Sequence, residues 1–171
     1  MKIGILGGSF NPIHHGHLLM AELARVKVGL DQVIFMPAAC SPYKSGQALC
    51  DGRHRLHMIR CAIKGNPYFC ASDMELKRGG TSFTIDTLRA VYGHNPKARF
   101  FWIIGEDNLA GLKQWKDFSQ IIRLASFIAV SRRWYNISSS EIRQRIRQKK
   151  SVRYLTPETV MRYIEKKGLY L

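Results

Sequence analysis

Residues Lys2 to His17 read KIGILGGSFNPIHHGH, and this stretch decides the fold. A short apolar strand over 3–6 runs into the glycine pair Gly7-Gly8, where the missing Cβ atoms let a ligand approach the backbone. A turn and the pattern His-x-Gly-His then lead into a helix predicted over 18–28. The free N–H groups and positive dipole end of that helix favour an anion, and imidazoles at its start can donate hydrogen bonds to phosphate oxygens. The order of these pieces predicts a nucleoside triphosphate site.

Apolar runs elsewhere in the chain indicate a parallel sheet. They are nearly continuous, which is typical of strands covered on both faces, and they alternate with helical patterns, which implies crossover connections. The predicted strands are 3–6, 32–36, 69–71, 99–104 and 126–130, and the predicted helices are 18–28, 53–64, 84–92 and 117–124. We therefore expect an α/β fold, a Rossmann-like doubly wound parallel sheet with a small C-terminal helical part, in one domain over residues 1–171. Ligands of such sheets bind beyond the carboxyl ends of the strands.

Finer expectations concern local structure. Leu19, Leu23 and Val26 have the spacing of one helical face. Residues 74–78 are expected to be extended, and Ser82 or Thr84 is expected to cap the helix over 84–92.

The composition is ordinary for a globular protein, with 46% hydrophobic and 23% charged residues among 171. No apolar run is long enough to cross a bilayer, and the first residues lead directly into a strand, so we expect no membrane span and no signal peptide. The cysteines at 40, 50, 61 and 70 form no Cys-x-x-Cys pair, which indicates reduced thiols in the cytoplasm rather than a zinc site. The net charge of +15 favours anionic ligands and leaves nucleic acid open.

A second pattern, NISSSEIR, spans Asn136 to Arg143. Ser138 can cap a helix and Glu141 follows three residues later, so the same letters also describe an ordinary capping box. Arg143 lies one turn into the predicted helix, and its guanidinium is planar and stays charged.

The two patterns resemble the His-x-Gly-His nucleotidyltransferase superfamily, which carries Ile-Ser-Ser/Ala-Thr-x-Ile-Arg where this chain has Ser140 in place of Thr. Three internal segments resemble the bacterial nicotinate mononucleotide adenylyltransferases, namely TSFTIDTL over 81–88, IIGEDNL over 103–109 and LKQW over 112–115. The Gly-Leu-Tyr sequence that ends at Tyr170 also resembles that family, so the likeness covers nearly the whole chain. The resemblance implies transfer of AMP from ATP to nicotinate mononucleotide, giving nicotinate adenine dinucleotide and pyrophosphate.

The resemblance also implies the site residues. Three would be catalytic, with His17 on the α-phosphate, His14 on the bridging region or the pyrophosphate, and Arg143 on the pyrophosphate. The residues implied to bind ATP are Gly7, Gly8, Ser9, Phe10, Gly16, His17, Gly105, Asp107, Ile137, Ser138, Ser139, Ser140 and Arg143. The residues implied to bind the acceptor are Ser9, Phe10, Lys44, Thr84, Trp115 and Arg132.

Individual roles and the cofactor follow from the same resemblance. Backbone near Thr84 would bind the nicotinate carboxylate, Trp115 would stack on the pyridine ring, and Asp107 would hydrogen-bond ribose hydroxyls. Mg²⁺ would travel with the ATP phosphates, without a metal site of the protein's own. The attacking phosphate is already anionic, so no protein nucleophile is needed.

The chain departs from the family after Arg133. There the family continues with a Pro-Gly turn, a connecting segment and a short strand, whereas Arg133 is followed directly by Trp134, so a few dozen residues are missing. A connection of two residues is too short to cross the sheet edge if the segments before and after it lie as they do in the family. The sequence either carries a true deletion or omits a loop, and we favour the omission. The role implied for Arg132 depends on this truncated neighbourhood.

Other functions compete with this one. A sister transferase would use nicotinamide mononucleotide or phosphopantetheine as acceptor, and the segments over 81–88 and 103–109 argue against phosphopantetheine. A basic nucleic-acid-binding domain would need clustered cations with interleaved aromatics, which only the run from Arg143 to Arg153 approaches. A metal site at His14, His15 and His17 lacks a fourth ligand. The state of association, a monomer or a homo-oligomer, stays open.

Overall fold

A five-stranded, entirely parallel sheet forms the centre of the molecule in the computed structural model, which describes residues 1–42, 49–131 and 136–171. The strands lie in the order β3-β2-β1-β4-β5. Their bounds are Lys2–Gly8 (β1), Gln32–Pro37 (β2), Phe69–Ala71 (β3), Arg99–Gly105 (β4) and Ala125–Val130 (β5). The predicted strands are confirmed, with ends that differ by one or two residues.

Seven α-helices are found among the described residues, and they cover both faces of the sheet. Their bounds are His15–Val28 (α1), Gly52–Ile63 (α2), Met74–Arg78 (α3), Thr84–His94 (α4), Phe118–Leu124 (α5), Ser139–Arg147 (α6) and Glu158–Lys167 (α7). One apolar core joins the sheet to α1, α2 and α7, and a second joins its other face to α4 and α5. The doubly wound architecture is therefore confirmed, and α6 and α7 form the expected C-terminal helical part. None of the helices in the described ranges has the length and apolarity to span a membrane.

Alternation along β1 shows how the two cores are separated. Ile3 and Ile5 point into the core under α4 and α5, whereas Leu6 points into the core under α1 and α2. Strand β1 pairs with β2 on one side and with β4 on the other, so the chain changes direction across the sheet at β1. The carboxyl end of β1 is therefore the switch point at which such sheets bind ligands.

Helix α1 differs from its prediction in two respects. It begins at His15 rather than residue 18, so His17 lies in its first turn and His14 is its N-cap. Leu19, Leu23 and Val26 do share a face, but that face is turned outward, with 41%, 43% and 65% of each residue exposed. The face against the sheet is made by Met20, Ala21 and Ala24, because small side chains let the helix approach the strands closely.

Two predictions around α3 and α4 are wrong. Residues 74–78 form a short helix rather than an extended segment. Helix α4 has Phe83 as its N-cap with no side-chain cap, because the Ser82 hydroxyl accepts a hydrogen bond from the backbone N–H of Ala39 instead. A 3-10 helix over Glu106–Gln114, which the sequence did not predict, follows β4.

Candidate functional site

A cavity of about 440 Å³ opens at the carboxyl end of the sheet, above β1 and β4. It brings together nearly all the predicted site residues from five separate parts of the chain. Those that line it are Gly7, Gly8, Ser9, Phe10, His14, Gly16, His17, Thr84, Gly105, Asp107, Trp115, Ser138, Ser139, Ser140 and Arg143. The two patterns that are predicted to bind phosphate and the predicted acceptor segments therefore face one space.

Three predicted residues are not placed in this cavity. Ile137 lines a second cavity on the far side of α1, beside His15 and Leu18. Lys44 and Arg132 lie outside the described residues, as does the junction of Arg133 with Trp134. Their predicted roles stay predictions.

The two histidines of the motif form one unit at the start of α1. Their rings stack with centroids 3.7 Å apart, and the edge of Phe10 packs on His17 at 4.9 Å. The backbone N–H of His14 donates a hydrogen bond to Nδ1 of His17 over 3.2 Å. Since Nδ1 is the acceptor, neutral His17 carries its proton on Nε2, where it can act as a donor.

The turn between β1 and α1 is strained and packed. Phe10 has a φ of 46°, which is uncommon outside glycine, and it is almost completely buried. A Cβ atom at Gly8 would lie 3.3 Å from its ring, and one at Gly7 would lie 2.8 Å from the ring of Trp102. The glycine pair therefore makes room for two aromatic rings of the protein, in addition to leaving the backbone open to a ligand.

Three consecutive carbonyls of this turn are held by side chains from the C-terminal part of the chain. Nη1 of Arg143 donates to the carbonyl of Asn11, Oγ of Ser139 to that of Pro12, and Oγ1 of Thr156 to that of Ile13, each over 2.8 Å. The backbone N–H of His15 also donates to the carbonyl of Leu155 over 3.0 Å. The histidine turn is thus fixed by α6 and by the segment before α7.

The Arg143 side chain both holds the carbonyl of Asn11 and lines the cavity. Besides Asn11, its guanidinium donates from Nη2 to Oγ of Ser140 over 3.2 Å, which uses two of its five N–H donors. Ser138 caps α6 as predicted, accepting the backbone N–H of Glu141 over 3.1 Å, but the Glu141 side chain pairs with Arg145 rather than completing the capping box. The N-terminus of α6 and the Arg143 side chain therefore face the cavity side by side.

Arg55 is a supporting residue that the sequence analysis missed. Only 2% of it is exposed, and its guanidinium donates to the carbonyls of Ser9, Ala38 and Cys50, each over 2.8 Å. Burial lowers the pKa of this guanidinium below its usual range. An arginine among the helical residues of α2 carries no sequence signal of this role, because its partners are backbone carbonyls that the sequence does not place beside it.

The far end of the cavity is formed by α4, α3 and the loop after the 3-10 helix. The ring of Trp115 packs edge-on against Phe127 with centroids 5.9 Å apart. Nζ of Lys116 lies 4.6 Å above the ring centre of Phe83 and 3.4 Å from a carboxylate oxygen of Asp86. Glu75, which the sequence analysis also missed, lines the same end. This end offers an aromatic face, a helix N-terminus and an ammonium group to a flat, anionic ligand.

Comparison with known proteins agrees with this geometry. The family model described as cytidylyltransferase-like matches residues 5–145. The probable nicotinate-nucleotide adenylyltransferase of Bacillus pumilus is 38% identical over 185 aligned positions, covering 99% of this chain and 98% of the relative. The protein of the same name from Streptococcus mutans is 39% identical, covering 99% and 88%. Both alignments run over 185 positions against 171 residues here, so these relatives carry residues with no counterpart in this chain.

Solved structures share the fold. A putative nicotinate-nucleotide adenylyltransferase from Vibrio parahaemolyticus superposes with a TM-score of 0.82 at 24% identity, covering 99% of this chain and 94% of the other. The nicotinic acid mononucleotide adenylyltransferase of Plasmodium falciparum, solved in complex with NaAD, gives 0.78 at 18% identity, covering 99% and 97%. With the site geometry and the full-length relatives taken together, the chain belongs to the cytidylyltransferase-like family and, within it, to the nicotinate-nucleotide adenylyltransferases.

Proposed function

We propose that this protein transfers AMP from ATP to nicotinate mononucleotide, giving nicotinate adenine dinucleotide and pyrophosphate. The observation that carries the proposal is the single cavity lined by His14 and His17, by the N-terminus of α6, and by Thr84 and Trp115. Those three groups suit an α-phosphate, an outgoing pyrophosphate and a pyridine acid respectively. The names of the full-length relatives support the same reaction.

The chemistry is a displacement at the α-phosphorus. A phosphate oxygen of the mononucleotide forms a bond to that phosphorus, the bond to the bridging oxygen of the β-phosphate breaks, and pyrophosphate leaves with the electron pair. The nucleophile is already an anion, so catalysis comes from positioning and from stabilising charge. The Nε2–H of His17 is oriented by the His14 backbone and donates to the transferring phosphate. His14, Arg143 and the N-terminus of α6 hold the pyrophosphate.

The acceptor is bound at the other end of the cavity. The first-turn N–H groups of α4 around Thr84 receive the nicotinate carboxylate, because a helix N-terminus favours an anion over a neutral amide. Trp115 stacks on the pyridine ring and Asp107 binds ribose hydroxyls, while Lys44 and Arg132 are proposed to bind phosphate. Lys116 adds a positive charge to the same end.

A divalent cation fits this site as part of the substrate. Among the described residues no group of three or more His, Cys, Asp or Glu side chains is placed to hold a metal ion, and we propose that the cation enters with the ATP phosphates. Mg²⁺ suits this arrangement because it keeps several waters and binds mainly to phosphates, whose charge it neutralises. We place the protein in the cytoplasm, in keeping with four free thiols.

Pyrophosphate release tests the proposal. The protein is incubated with ATP and Mg²⁺ and, in parallel, with nicotinate mononucleotide, nicotinamide mononucleotide or phosphopantetheine. A strong preference for the nicotinate form is expected, and the product is identified by mass. Preference for another acceptor would move the protein to a sister reaction, and no turnover with any of them would reject the transferase proposal.

A further inference from the structure

Glu75 is a buried carboxyl group at the acceptor end of the cavity. Only 3% of the residue is exposed, and the transfer reaction makes no direct use of it. A buried carboxyl group is costly unless hydrogen bonds satisfy it. Here Oε1 of Glu75 accepts a hydrogen bond from Oγ1 of Thr87 over 2.5 Å.

Two hydroxyl groups, those of Ser82 and Thr87, lie on either side of Thr84 in the chain. Ser82 precedes α4 and its Oγ accepts the backbone N–H of Ala39 over 3.0 Å. Thr87 is completely buried in the first turn of α4 and also accepts a hydrogen bond from Nη2 of Arg78 over 3.2 Å. The Glu75 carboxyl group therefore connects α3 to the first turn of α4.

We infer that Glu75 is a positioning residue, which through Thr87 holds the first turn of α4 in place to receive the acid group of the acceptor. The inference rests on the proposed function, in which that turn binds the nicotinate carboxylate. Thr87 is not among the described residues that line the cavity, so its side chain acts on the acceptor only through the position of the helix. The hydrogen bonds of this network run to α3, α4 and Ala39, whereas the ATP end is built by α1 and α6.

A pair of substitutions at Thr87 separates the hydrogen bond from packing. Thr87→Val removes the hydroxyl group with almost unchanged shape, and Thr87→Ser keeps the hydroxyl group but loses a methyl group. Thr87→Val is expected to raise KM for nicotinate mononucleotide about fivefold, the factor that one net hydrogen bond supplies, and to leave kcat and KM for ATP within about twofold. Thr87→Ser is expected to stay near wild type.

Substitutions at Glu75 provide a second test of the inference. Glu75→Gln keeps an oxygen that accepts from Thr87 and is expected to resemble Thr87→Ser, while Glu75→Leu is expected to resemble Thr87→Val. The inference would be overturned if Thr87→Val and Glu75→Leu both left KM for the acceptor unchanged. It would also be overturned if these variants raised KM for ATP and KM for the acceptor equally. A rise in acceptor KM for Glu75→Gln that matches Glu75→Leu would also overturn it, because charge rather than position would then be responsible.

Calorimetric titration with nicotinate mononucleotide alone keeps the two proposals distinguishable. If wild type binds this probe without turnover, the proposed function fails, and the ratio of Kd between Thr87→Val and Thr87→Ser still decides the inference. If folded wild type does not bind the probe, both proposals fail. Unfolding midpoints of all variants identify any that merely lose the fold.

Discussion

The backbone N–H of His14 and the Nδ1 atom of His17 are joined by a hydrogen bond of 3.2 Å across the first turn of α1. This bond makes the N-cap residue orient the imidazole that lies three positions later. The stacked rings, 3.7 Å apart, further restrict rotation of both side chains. The donor on Nε2 is therefore aligned before any ligand arrives, and such preorganised donors stabilise developing charge more effectively than mobile ones.

His17→Ala is expected to lower kcat by about 100- to 1,000-fold, because it removes the preorganised donor that we propose for the transferring phosphate. The fold is expected to persist, with a loss of about 1 kcal/mol from the N–H of His14 that loses its partner. Steady-state kinetics and urea unfolding measure the two effects. His15→Ala is the matched control, since His15 is exposed in the same turn and does not line the main cavity. Near-normal turnover of His17→Ala would falsify the role given to His17.

Arg55→Met is expected to destabilise the protein by about 2–4 kcal/mol, because three carbonyls lose their donor and two of them belong to residues that line the cavity. Arg55→Lys should fall between wild type and Arg55→Met, since an ammonium group cannot reproduce the planar fork. Urea unfolding measures both. Arg53→Met is the control, because that side chain is 91% exposed and its ion pair with Asp51 lies at the surface. Equal stability of the Arg55→Met and Arg53→Met variants would contradict the supporting role of Arg55.

Trp115→Ala is expected to raise KM for nicotinate mononucleotide about tenfold and to leave KM for ATP nearly unchanged, because an aromatic stack contributes up to about 1.5 kcal/mol beyond area burial. Trp115→Phe retains an aromatic face and should recover most of the affinity. Initial rates at varied acceptor concentration give these values. A matching loss for ATP would show that Trp115 supports the whole cavity rather than the acceptor end.

The stability of the protein should carry a pH dependence that originates at Glu75. Burial raises the pKa of this carboxyl group above its usual value, although the hydroxyl groups of Thr87 and Ser82 and the charge of Arg78 oppose the rise. Between the unfolded and folded pKa values the folded chain binds more protons, so the free energy of unfolding contributed by Glu75 decreases as pH rises through that interval. Glu75→Gln lacks this component.

Urea unfolding of wild type and Glu75→Gln at several values between about pH 4.5 and 7 measures the effect. The variant is expected to gain stability relative to wild type as pH increases. A constant difference, or one of opposite slope, would contradict the raised pKa.

Much of the fold and of the site could be predicted because the signals are local. Strand β1 and strand β4 are apolar runs whose two faces are both buried. The His14 to His17 motif marks the start of the helix that follows it. The features that were missed depend on contacts between distant segments. Helix α3 has five residues, too few for a periodic pattern, and Glu75 reads as an ordinary surface residue until Thr87 is placed against it.

The orientation of α1 shows a different limit. Two faces of this helix have apolar residues at helical spacing, one with Leu19, Leu23 and Val26 and the other with Met20, Ala21 and Ala24. Spacing and size favour the leucine face, but the alanine face is the one buried, where the helix packs against β1, β4 and β5. Sequence periodicity predicts that the segment is a helix, but it does not predict which side of the helix is buried.

The carbonyls of Asn11, Pro12 and Ile13 accept their hydrogen bonds from residues 139 to 156. During synthesis the histidine turn leaves the ribosome early, yet the donors that fix it are added more than a hundred residues later. Because chains are made from the N-terminus onward, a nascent chain that already contains both histidines still lacks the donors that fix the turn around them. We expect a fragment that ends before Ser139 to contain the histidine motif without the donors that fix its turn.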